Sequence, residues 1–401
     1  MSFHTRLNEI LDHCQLVTTP TANFRKLVPC QYGYLLVEKQ KSVSLIKANI
    51  EAIYKDPAWQ NVSLRWLNDR LLKFCAEKIH AKTKFTTSDE SLLKNEVKNM
   101  PLNEVTVIRE VSGASFYENC DPINIGRFTI YDWAQHSDII LQHCHHEFDA
   151  SFMRDNKHKI LAECKVIAAE PRKVSELATL AFQELESLIT FIVGSRSYEL
   201  SIVNYAGPRE SFTYNISSDS FGYSTEHSEG YEVNLSAAVF RQPPLHVKRL
   251  FPINEPSANS LEKKIYRSID WTAQALREPN KGSAFIKAMI ALESLLKIDE
   301  KGWFTPSIVA QISESTAQIL GSSIEDCVKI ATDIKRLYSI RSSAVHSGNN
   351  DVQQDDLSTI IHYTRQVIFT LLNDEKYMTL DSPQKLGKVL AEAKYLHLKA
   401  K

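Results

Sequence analysis

The last third of the chain consists of amphipathic segments joined by short connections. Apolar residues recur at helical spacing in each segment. They are Leu261, Ile265, Ile269, Ala273 and Leu276 in the first, Phe285, Met289, Leu292 and Leu296 in the second, and Ile361, Thr364, Ile368 and Leu371 in a later one. Short connections favour antiparallel packing of neighbouring helices. We therefore predict an all-α antiparallel bundle over residues 257–375, followed by a helical appendage over residues 376–401.

Two more helices of this bundle are predicted from their end signals. Thr305 before Pro306 is typical of a helix start, and Gly321 of a helix end. Ser322 with Glu325 predicts a capping box for the next helix. The apolar stripe that we expect to face the core of that helix contains Ile324, Val328, Ala331, Ile334, Leu337 and Tyr338.

Residues 1–250 mix helical and strand-like patterns. Helical spacing occurs in residues 43–54, 64–79 and 174–193, and alternating or β-branched residues favour strands at 31–37, 105–107, 127–131, 212–216 and 231–240. A chain of 401 residues is too long for a single core. We predict an α+β protein in which a mixed α/β sensor or recognition region, with a division into two subdomains near residues 100–150 left open, precedes the bundle.

Charge, cysteine content and hydropathy exclude several protein classes. The 47 basic and 48 acidic residues give a formal net charge of -1, so any contact with RNA must come from a local patch. Seven cysteines without a CxxC pair are typical of reduced thiols. No apolar run has the length of a membrane helix and no signal peptide is evident, so we expect a cytoplasmic protein without a membrane partner. Phosphate-loop, nucleophile-elbow and dinucleotide-binding motifs do not occur in the sequence.

Arg341 and His346 form the candidate reactive pair. Gly348 predicts the end of their helix, which places both residues in its last two turns. Five positions rotate the side-chain direction by about 140°, so the two side chains converge only if the last turn unwinds or if both face a groove shared with a partner subunit. Histidine exchanges protons near neutral pH, and arginine stabilises charge on phosphate oxygens. With RNA, the substrate supplies its own 2′-OH nucleophile, so this chemistry requires no metal.

The surroundings of this pair resemble the Apea-like branch of the HEPN family. Its signature is an aromatic residue, then Arg, four to six residues, His and Gly, which Tyr338, Arg341, His346 and Gly348 match. Residues 288–296 and 312–321 are similar to the family's second helix and to the helix before the motif. The resemblance covers residues 257–375. The chain departs from many active members at Ser342, where they carry Asn, Asp or His.

The resemblance implies a metal-independent endoribonuclease without a cofactor. Two copies of the motif helix would face each other in a homodimer and form one RNA-binding cleft. His346 would activate the 2′-OH or protonate the leaving oxygen, Arg341 would hold the phosphate, and Ser342, Glu293 and Tyr338 would support them. The biological role implied is that of a toxin or phage-defence effector, under the control of a regulatory trigger or an antitoxin.

Three other interpretations remain open. The bundle is alternatively a catalytically silent HEPN-like module that binds RNA or nucleotide or dimerises. Glu293, on the apolar side of its helix, is alternatively held by a structural ion pair or hydrogen bond. A metal hydrolase is the second, with ligands among residues 142–147 and from Cys120 or His136. Third, arginines interleaved with aromatic residues, at positions 196, 209 and 241, are compatible with a base-stacking platform for RNA as well as with an ordinary sheet.

Overall fold

The computed structural model describes residues 1–19, 26–37, 40–143, 159–198, 200–202, 210–216, 221–227, 231–251, 258–298, 307–347 and 352–399. Over these residues the chain is α+β, with mixed strands and helices first and an all-helical C-terminal region after them. The predicted fold class is therefore confirmed. The chain divides into two compact units, one of Met1–Val107 with Lys165–Leu180 and one of Ile108–Cys164 with Ala181–Lys401.

The first unit packs four helices with a small antiparallel sheet. The helices are α1 (Phe3–Leu11), α2 (Gln40–Tyr54), α3 (Leu64–Ala81) and α4 (Thr87–Lys98), and the strands are β1 (Gln15–Val17), β2 (Lys26–Cys30) and β3 (Gly33–Val37). The strand order is β1-β3-β2. Its core contains the fully buried side chains of Leu7, Leu35, Trp59, Leu67 and Leu71. The helices predicted at 43–54 and 64–79 and the strand predicted at 31–37 are confirmed.

Two strands and one helix have residues in both units. They are β4 (Asn103–Val111), β8 (Ile160–Ala168) and α6 (Pro171–Val193). In the first unit, the carboxylate of Glu170 accepts hydrogen bonds from the backbone N–H groups of Ser63, Arg172 and Lys173, each at 2.9 Å. Burial opposes the ionised form, but these hydrogen bonds outweigh it and lower the pKa of Glu170. The charge lies at the start of α6, where the helix dipole favours an anion.

The second unit contains the remaining strands. They are β5 (Ala114–Ser115), β6 (Ile123–Ile125), β7 (Phe128–Asp132), β9 (Glu210–Ile216), β10 (Phe221–His227) and β11 (Val233–Asn234). The main sheet has the order β4-β8-β7-β6, while β9 pairs with β10 and β5 pairs with β11. The helix α5 (Trp133–His143) follows β7 directly. The strands predicted at 105–107, 127–131 and 212–216 are confirmed.

The strand predicted over residues 231–240 is wrong for most of its length. Only the two residues of β11 are extended, and α7 (Ala238–Arg241) and α8 (Leu245–Lys248) follow. The cause is a local turn, because the Asn234 side chain accepts hydrogen bonds from the backbone N–H of Ser236 at 3.0 Å and from its hydroxyl at 2.7 Å. An Asn that bonds the backbone two residues further on turns the chain out of a strand.

The helix α6 ends at Gly194, as its sequence predicts, and starts three residues earlier than predicted. Gly194 has a φ of +67°, in the left-handed region that favours glycine. The Arg365 guanidinium lies over this glycine and donates a hydrogen bond to the Ile192 carbonyl oxygen at 3.1 Å. Its central carbon lies 5.6 Å from the ring centroid of Phe191 and 5.9 Å from that of Phe369. Arg365 therefore closes the C-terminus of α6, and burial lowers its pKa.

The C-terminal helices are α9 (Ser260–Arg277), α10 (Lys281–Leu296), α11 (Ile308–Leu320), α12 (Ile324–Ser347), α13 (Gln354–Asn373) and α14 (Pro383–Lys399). The helix α10 packs against α9 and α13, and α11 packs against α12. Their shared core includes Phe285, Leu292, Ile312, Leu337 and Ile368. All the predicted helices of this region are present. Among the described residues, no helix combines the length and apolar character needed to cross a bilayer.

Two helix starts in the bundle differ from the prediction. Ser307 caps α11, since its hydroxyl accepts a hydrogen bond from the backbone of Ala310 at 3.2 Å, and Thr305 and Pro306 lie outside the described residues. Ser323 rather than Ser322 caps α12 and accepts from the backbone N–H of Asp326 at 3.1 Å. The Ser322 hydroxyl instead donates to the Asp326 carboxylate. Two adjacent serines can both begin a helix, and sequence spacing does not choose between them.

The apolar stripe of α12 also differs from the prediction. Ile324 and Val328 are each 61% exposed, whereas Ile330, Ile334, Leu337 and Ala344 are buried. At about 100° per residue, Val328 points about 200° away from Ile330. The helix therefore carries two apolar stripes that share its middle, and only one of them faces the core.

Candidate functional site

Arg341 lies on α12 and its side chain points toward α10. The guanidinium Nη2 is 3.8 Å from the Glu293 Oε2, and the two side chains are 25% and 21% exposed. The guanidinium carbon lies 5.5 Å from the ring centroid of Tyr338, one turn earlier on the same helix. The Arg341 Nε is buried and has no hydrogen-bond partner among the described atoms. The structure therefore brings three of the five predicted site residues, Arg341, Glu293 and Tyr338, into one cluster.

The Arg341 guanidinium has N–H groups that form no hydrogen bond with Glu293. A separation of 3.8 Å is too long for a hydrogen bond, so Glu293 attracts the guanidinium without saturating its N–H groups. The Arg341 side chain is 25% exposed, so a phosphate oxygen can approach N–H groups that Glu293 does not saturate. The arrangement suits an arginine that receives an oxyanion.

Glu293 lies on the side of α10 that faces the bundle. Its neighbours Leu292 and Leu296 are fully buried. A carboxylate in such a place is costly unless it is paired, and the guanidinium of Arg341 is the partner that the structure gives it.

His346 and Ser342, the other two predicted site residues, lie on the same helix. His346 occupies the last turn of α12, which ends one residue later at Ser347. Its side chain lies outside the described part of the chain, as does all of Gly348. Ser342 is half-buried next to Arg341. The backbone thus places Arg341 and His346 in the final two turns, as the sequence predicts.

Contacts from α13 hold the helix that carries Arg341. The Arg336 Nη1 is 2.6 Å from the Asp356 Oδ1, and the Tyr363 hydroxyl donates a hydrogen bond of 2.9 Å to Asp333. Burial, together with this bond to Asp333, raises the pKa of Tyr363 to about 12. These two contacts lie one to two turns before Arg341 and limit rotation of α12. Neither was predicted, because a surface-like Arg or Asp on its own helix carries no signal of its partner.

The metal-hydrolase interpretation loses one of its ligands. The Nδ1 of His136 accepts a hydrogen bond of 3.0 Å from the Asp132 backbone, and its Nε2 lies 2.7 Å from the Cys120 carbonyl oxygen. A histidine with both ring nitrogens engaged has no lone pair left for a metal ion. Residues 144–147 lie outside the described residues, and within those that are described no cluster of His, Cys, Asp and Glu could hold a metal ion.

Two of the three arginines of the predicted stacking platform lie in the described residues, and both are engaged with other groups. Arg196 donates hydrogen bonds to the carbonyl oxygens of Glu278 and Pro279, where it closes the C-terminus of α9. Arg241 forms a 2.7 Å ion pair with Glu118. Arg209 lies outside the described residues. Arg196 is thus a structural residue, and the stacking platform stays a prediction.

Comparison with known proteins gives no relative for this chain: no family model, no curated protein and no solved structure matches it. The HEPN resemblance therefore stays a prediction, and the functional argument depends on the α12 site itself.

One concave region of the second unit was not predicted from the sequence. It is a cleft of about 1020 Å³ between residues 119–126 and residues 240–251, which we call the β6–α8 cleft. Its two walls are more than a hundred residues apart in the chain, so no local pattern could reveal it.

Proposed function

We propose that this protein is a metal-independent endoribonuclease of the HEPN type, with Arg341 and His346 as its catalytic residues. The observation that carries the proposal is the half-buried Arg341 guanidinium, which has an unpartnered Nε and only a long contact with Glu293. His346 in the last turn of the same helix supplies the proton-transfer group that the chemistry needs.

In the proposed reaction, the 2′-oxygen of the RNA attacks the adjacent phosphorus. The bond from the 2′-oxygen to phosphorus forms, and the bond from phosphorus to the 5′-oxygen breaks. His346 takes the proton of the 2′-OH or gives a proton to the 5′-oxygen, solvent water carries out the other proton transfer, and Arg341 stabilises the negative charge on the phosphate oxygens. The products are a 2′,3′-cyclic phosphate and a 5′-OH.

The neighbours of Arg341 have a positioning role in this proposal. Glu293 attracts the guanidinium from α10, and the Tyr338 ring lies beneath it. Ser342 supplies a small polar group beside it. Within one helix the side chains of Arg341 and His346 point about 140° apart. A homodimer that places two copies of α12 face to face would bring Arg341 of one subunit toward His346 of the other, so the two groups could meet across the interface. RNA is the proposed partner, the cytoplasm the proposed compartment, and a toxin or phage-defence effector released by a trigger or an antitoxin the proposed role.

The proposal is tested with full-length wild-type protein, Arg341→Gln and His346→Ala, and with Lys335→Gln as an exposed control on the same helix. Each is incubated with total RNA in EDTA, and the cleaved ends are mapped. We expect wild type and Lys335→Gln to produce cyclic phosphates, and the other two variants to lose at least about a hundredfold in rate. Cleavage that persists at the wild-type rate in both site variants would refute the assignment.

The Glu293 contact also fits a second candidate function. In a catalytically silent module that binds RNA or nucleotide or dimerises, Arg341 would be a structural partner of Glu293. This candidate predicts no cleavage by any variant, together with a lower stability of Arg341→Gln and an unchanged one of His346→Ala. Analytical ultracentrifugation and thermal unfolding of the same set of proteins distinguish the two candidates.

A further inference from the structure

The β6–α8 cleft combines basic, amide and aromatic side chains. Arg241 and Lys248 lie at the ends of the short helices α7 and α8, and both are exposed. Asn124 and Gln242 add amide groups, and Phe251 adds a half-buried ring. A concave surface of this size that combines polar and apolar side chains can hold a small molecule.

The walls of the cleft are fixed against each other. Gly126, in the turn between β6 and β7, has a φ of +59°, and a Cβ there would lie 2.9 Å from the Phe251 carbonyl oxygen. This close approach holds the turn against the segment that carries Phe251. The buried side chains of Ile123 and Phe240 form a packed floor. The cleft is therefore formed before any ligand arrives, which lowers the entropic cost of binding.

Two cations, Arg241 and Lys248, lie on one wall of the cleft and can receive an anionic group. Arg241 is engaged by Glu118 at 2.7 Å, but these two side chains are 35% and 60% exposed. An exposed pair of this kind contributes little and is readily exchanged for a doubly charged phosphate. Lys248 has no acidic partner within 4.0 Å among the described residues, and Asp121 is the carboxylate that lines the opposite wall.

We propose that the β6–α8 cleft binds a nucleoside phosphate. The phosphate contacts Arg241 and Lys248, the base or sugar packs on Phe251, and Asn124 and Gln242 offer hydrogen bonds to polar edges. Arginine presents a fork of donors that matches phosphate geometry, and amides pair with base edges. This site is separate from the α12 site, and the proposal does not depend on RNA cleavage.

The test is isothermal titration of the full-length protein with AMP, GMP, CMP and UMP, with adenosine and inorganic phosphate as separate arms. We expect at least one nucleotide to bind, and adenosine and phosphate to bind at least about tenfold more weakly, because each lacks half of the contacts. An absence of binding by all four nucleotides would overturn the proposal. The same titration with Arg341→Gln separates the two sites: binding that persists with wild-type affinity belongs to the cleft, and loss of binding would assign the ligand to the α12 site instead.

Variants that remove a cation and a variant that removes an anion should change nucleotide affinity in opposite directions. Arg241→Gln should weaken binding about tenfold or more, and Lys248→Gln about threefold or more. Glu118→Gln should bind as tightly as wild type or more tightly, because it removes the competitor for the Arg241 guanidinium. The matched control is Arg172→Gln, which breaks the comparable exposed pair with Asp69 in the first unit. If Glu118→Gln weakened binding as much as Arg241→Gln, the ion pair would be a structural element and the phosphate assignment would be wrong.

Cys120 gives a second measurement of the same cleft. Its half-buried thiol lines the cleft, and burial raises its pKa. Saturating nucleotide should slow maleimide labelling of Cys120, quantified by peptide mass spectrometry, and leave labelling of Cys30 in the first unit unchanged. Equal protection of both thiols, or none of Cys120, would place the ligand outside the cleft.

Discussion

Replacement of Gly194 by alanine tests the role of Arg365 at the end of α6. The new Cβ would collide with the Arg365 guanidinium and would also require a left-handed conformation at φ +67°. The guanidinium is the end of a flexible side chain and can move, but it then loses its 3.1 Å hydrogen bond to Ile192 and its contacts with the rings of Phe191 and Phe369. The cost of the substitution is therefore the cost of those contacts together with the backbone strain.

The magnitude follows from these separate costs. The left-handed conformation costs about 1 kcal/mol for alanine, the charged hydrogen bond about 2 kcal/mol, and the ring contacts about 1 kcal/mol. We expect Gly194→Ala to lower the free energy of unfolding by about 3–5 kcal/mol. In an Arg365→Ala background no guanidinium remains to be displaced, so the same substitution should cost only about 1 kcal/mol.

The measurement is urea unfolding of the four proteins of this double-mutant cycle. Hydrogen exchange of the last turns of α6 and of α13 locates the effect, since both helix segments belong to the second unit. A coupling free energy of about 2 kcal/mol or more is expected. Equal costs of Gly194→Ala in both backgrounds would refute the idea that Arg365 is the displaced group.

Three further predictions concern charge. The lowered pKa of Glu170 means that its contribution to stability is present above about pH 4.3 and is lost as pH falls through the folded-state value. Glu170→Gln should thus lower the free energy of unfolding by about 1 kcal/mol at pH 7 and leave it unchanged in strong acid. A difference in stability between wild type and variant that persists in acid would contradict this. Asp356→Asn weakens the 2.6 Å contact with Arg336, so we expect the free energy of unfolding to fall by about 1 kcal/mol and hydrogen exchange to become faster in α12 but not in α9. If α12 and α9 exchanged equally in the variant, the proposed role of the pair in holding α12 would be excluded. The pKa of Tyr363 is about 12 in the folded protein and near 10 in the unfolded protein, so the stability of the wild type should fall as pH rises above about 10. Tyr363→Phe has no phenol to ionise and no hydrogen bond to Asp333, so its stability should lack this decrease. Unfolding curves of both proteins at alkaline pH measure the difference.

The helices of the bundle could be predicted because each pattern is local. The repeats at Leu261–Leu276 and Phe285–Leu296 each bury one face, and such amphipathic spacing needs no knowledge of the partner. Two predicted details of α12, its capping residue and its buried stripe, are wrong because the sequence offers two equally suitable choices for each. Ser322 and Ser323 both suit a helix start, and α12 carries two apolar stripes, of which only tertiary packing selects one.

The surroundings of the candidate site could be predicted only in part. Arg341, Glu293 and Tyr338 were singled out by residue type and by resemblance, and the structure places them together. The β6–α8 cleft and the Arg365 contact join parts of the chain that are distant in sequence, so periodicity and motif spacing contain no information about them. The metal interpretation of residues 142–147 stays a prediction, because residues 144–147 lie outside the part of the chain that the structure describes.

The helix α6 has a consequence for how such a protein can be recombined. Arg277 of α9 pairs with Glu186, and Arg365 of α13 binds the carbonyl of Ile192, so two arginines of the bundle have their acceptors on α6. Recombination near residue 250 would join the α6 of one protein to the bundle of another. Arg277 and Arg365 of the incoming bundle would then face an α6 that did not evolve with them. The second half of α6 and the bundle are therefore expected to be inherited as one block.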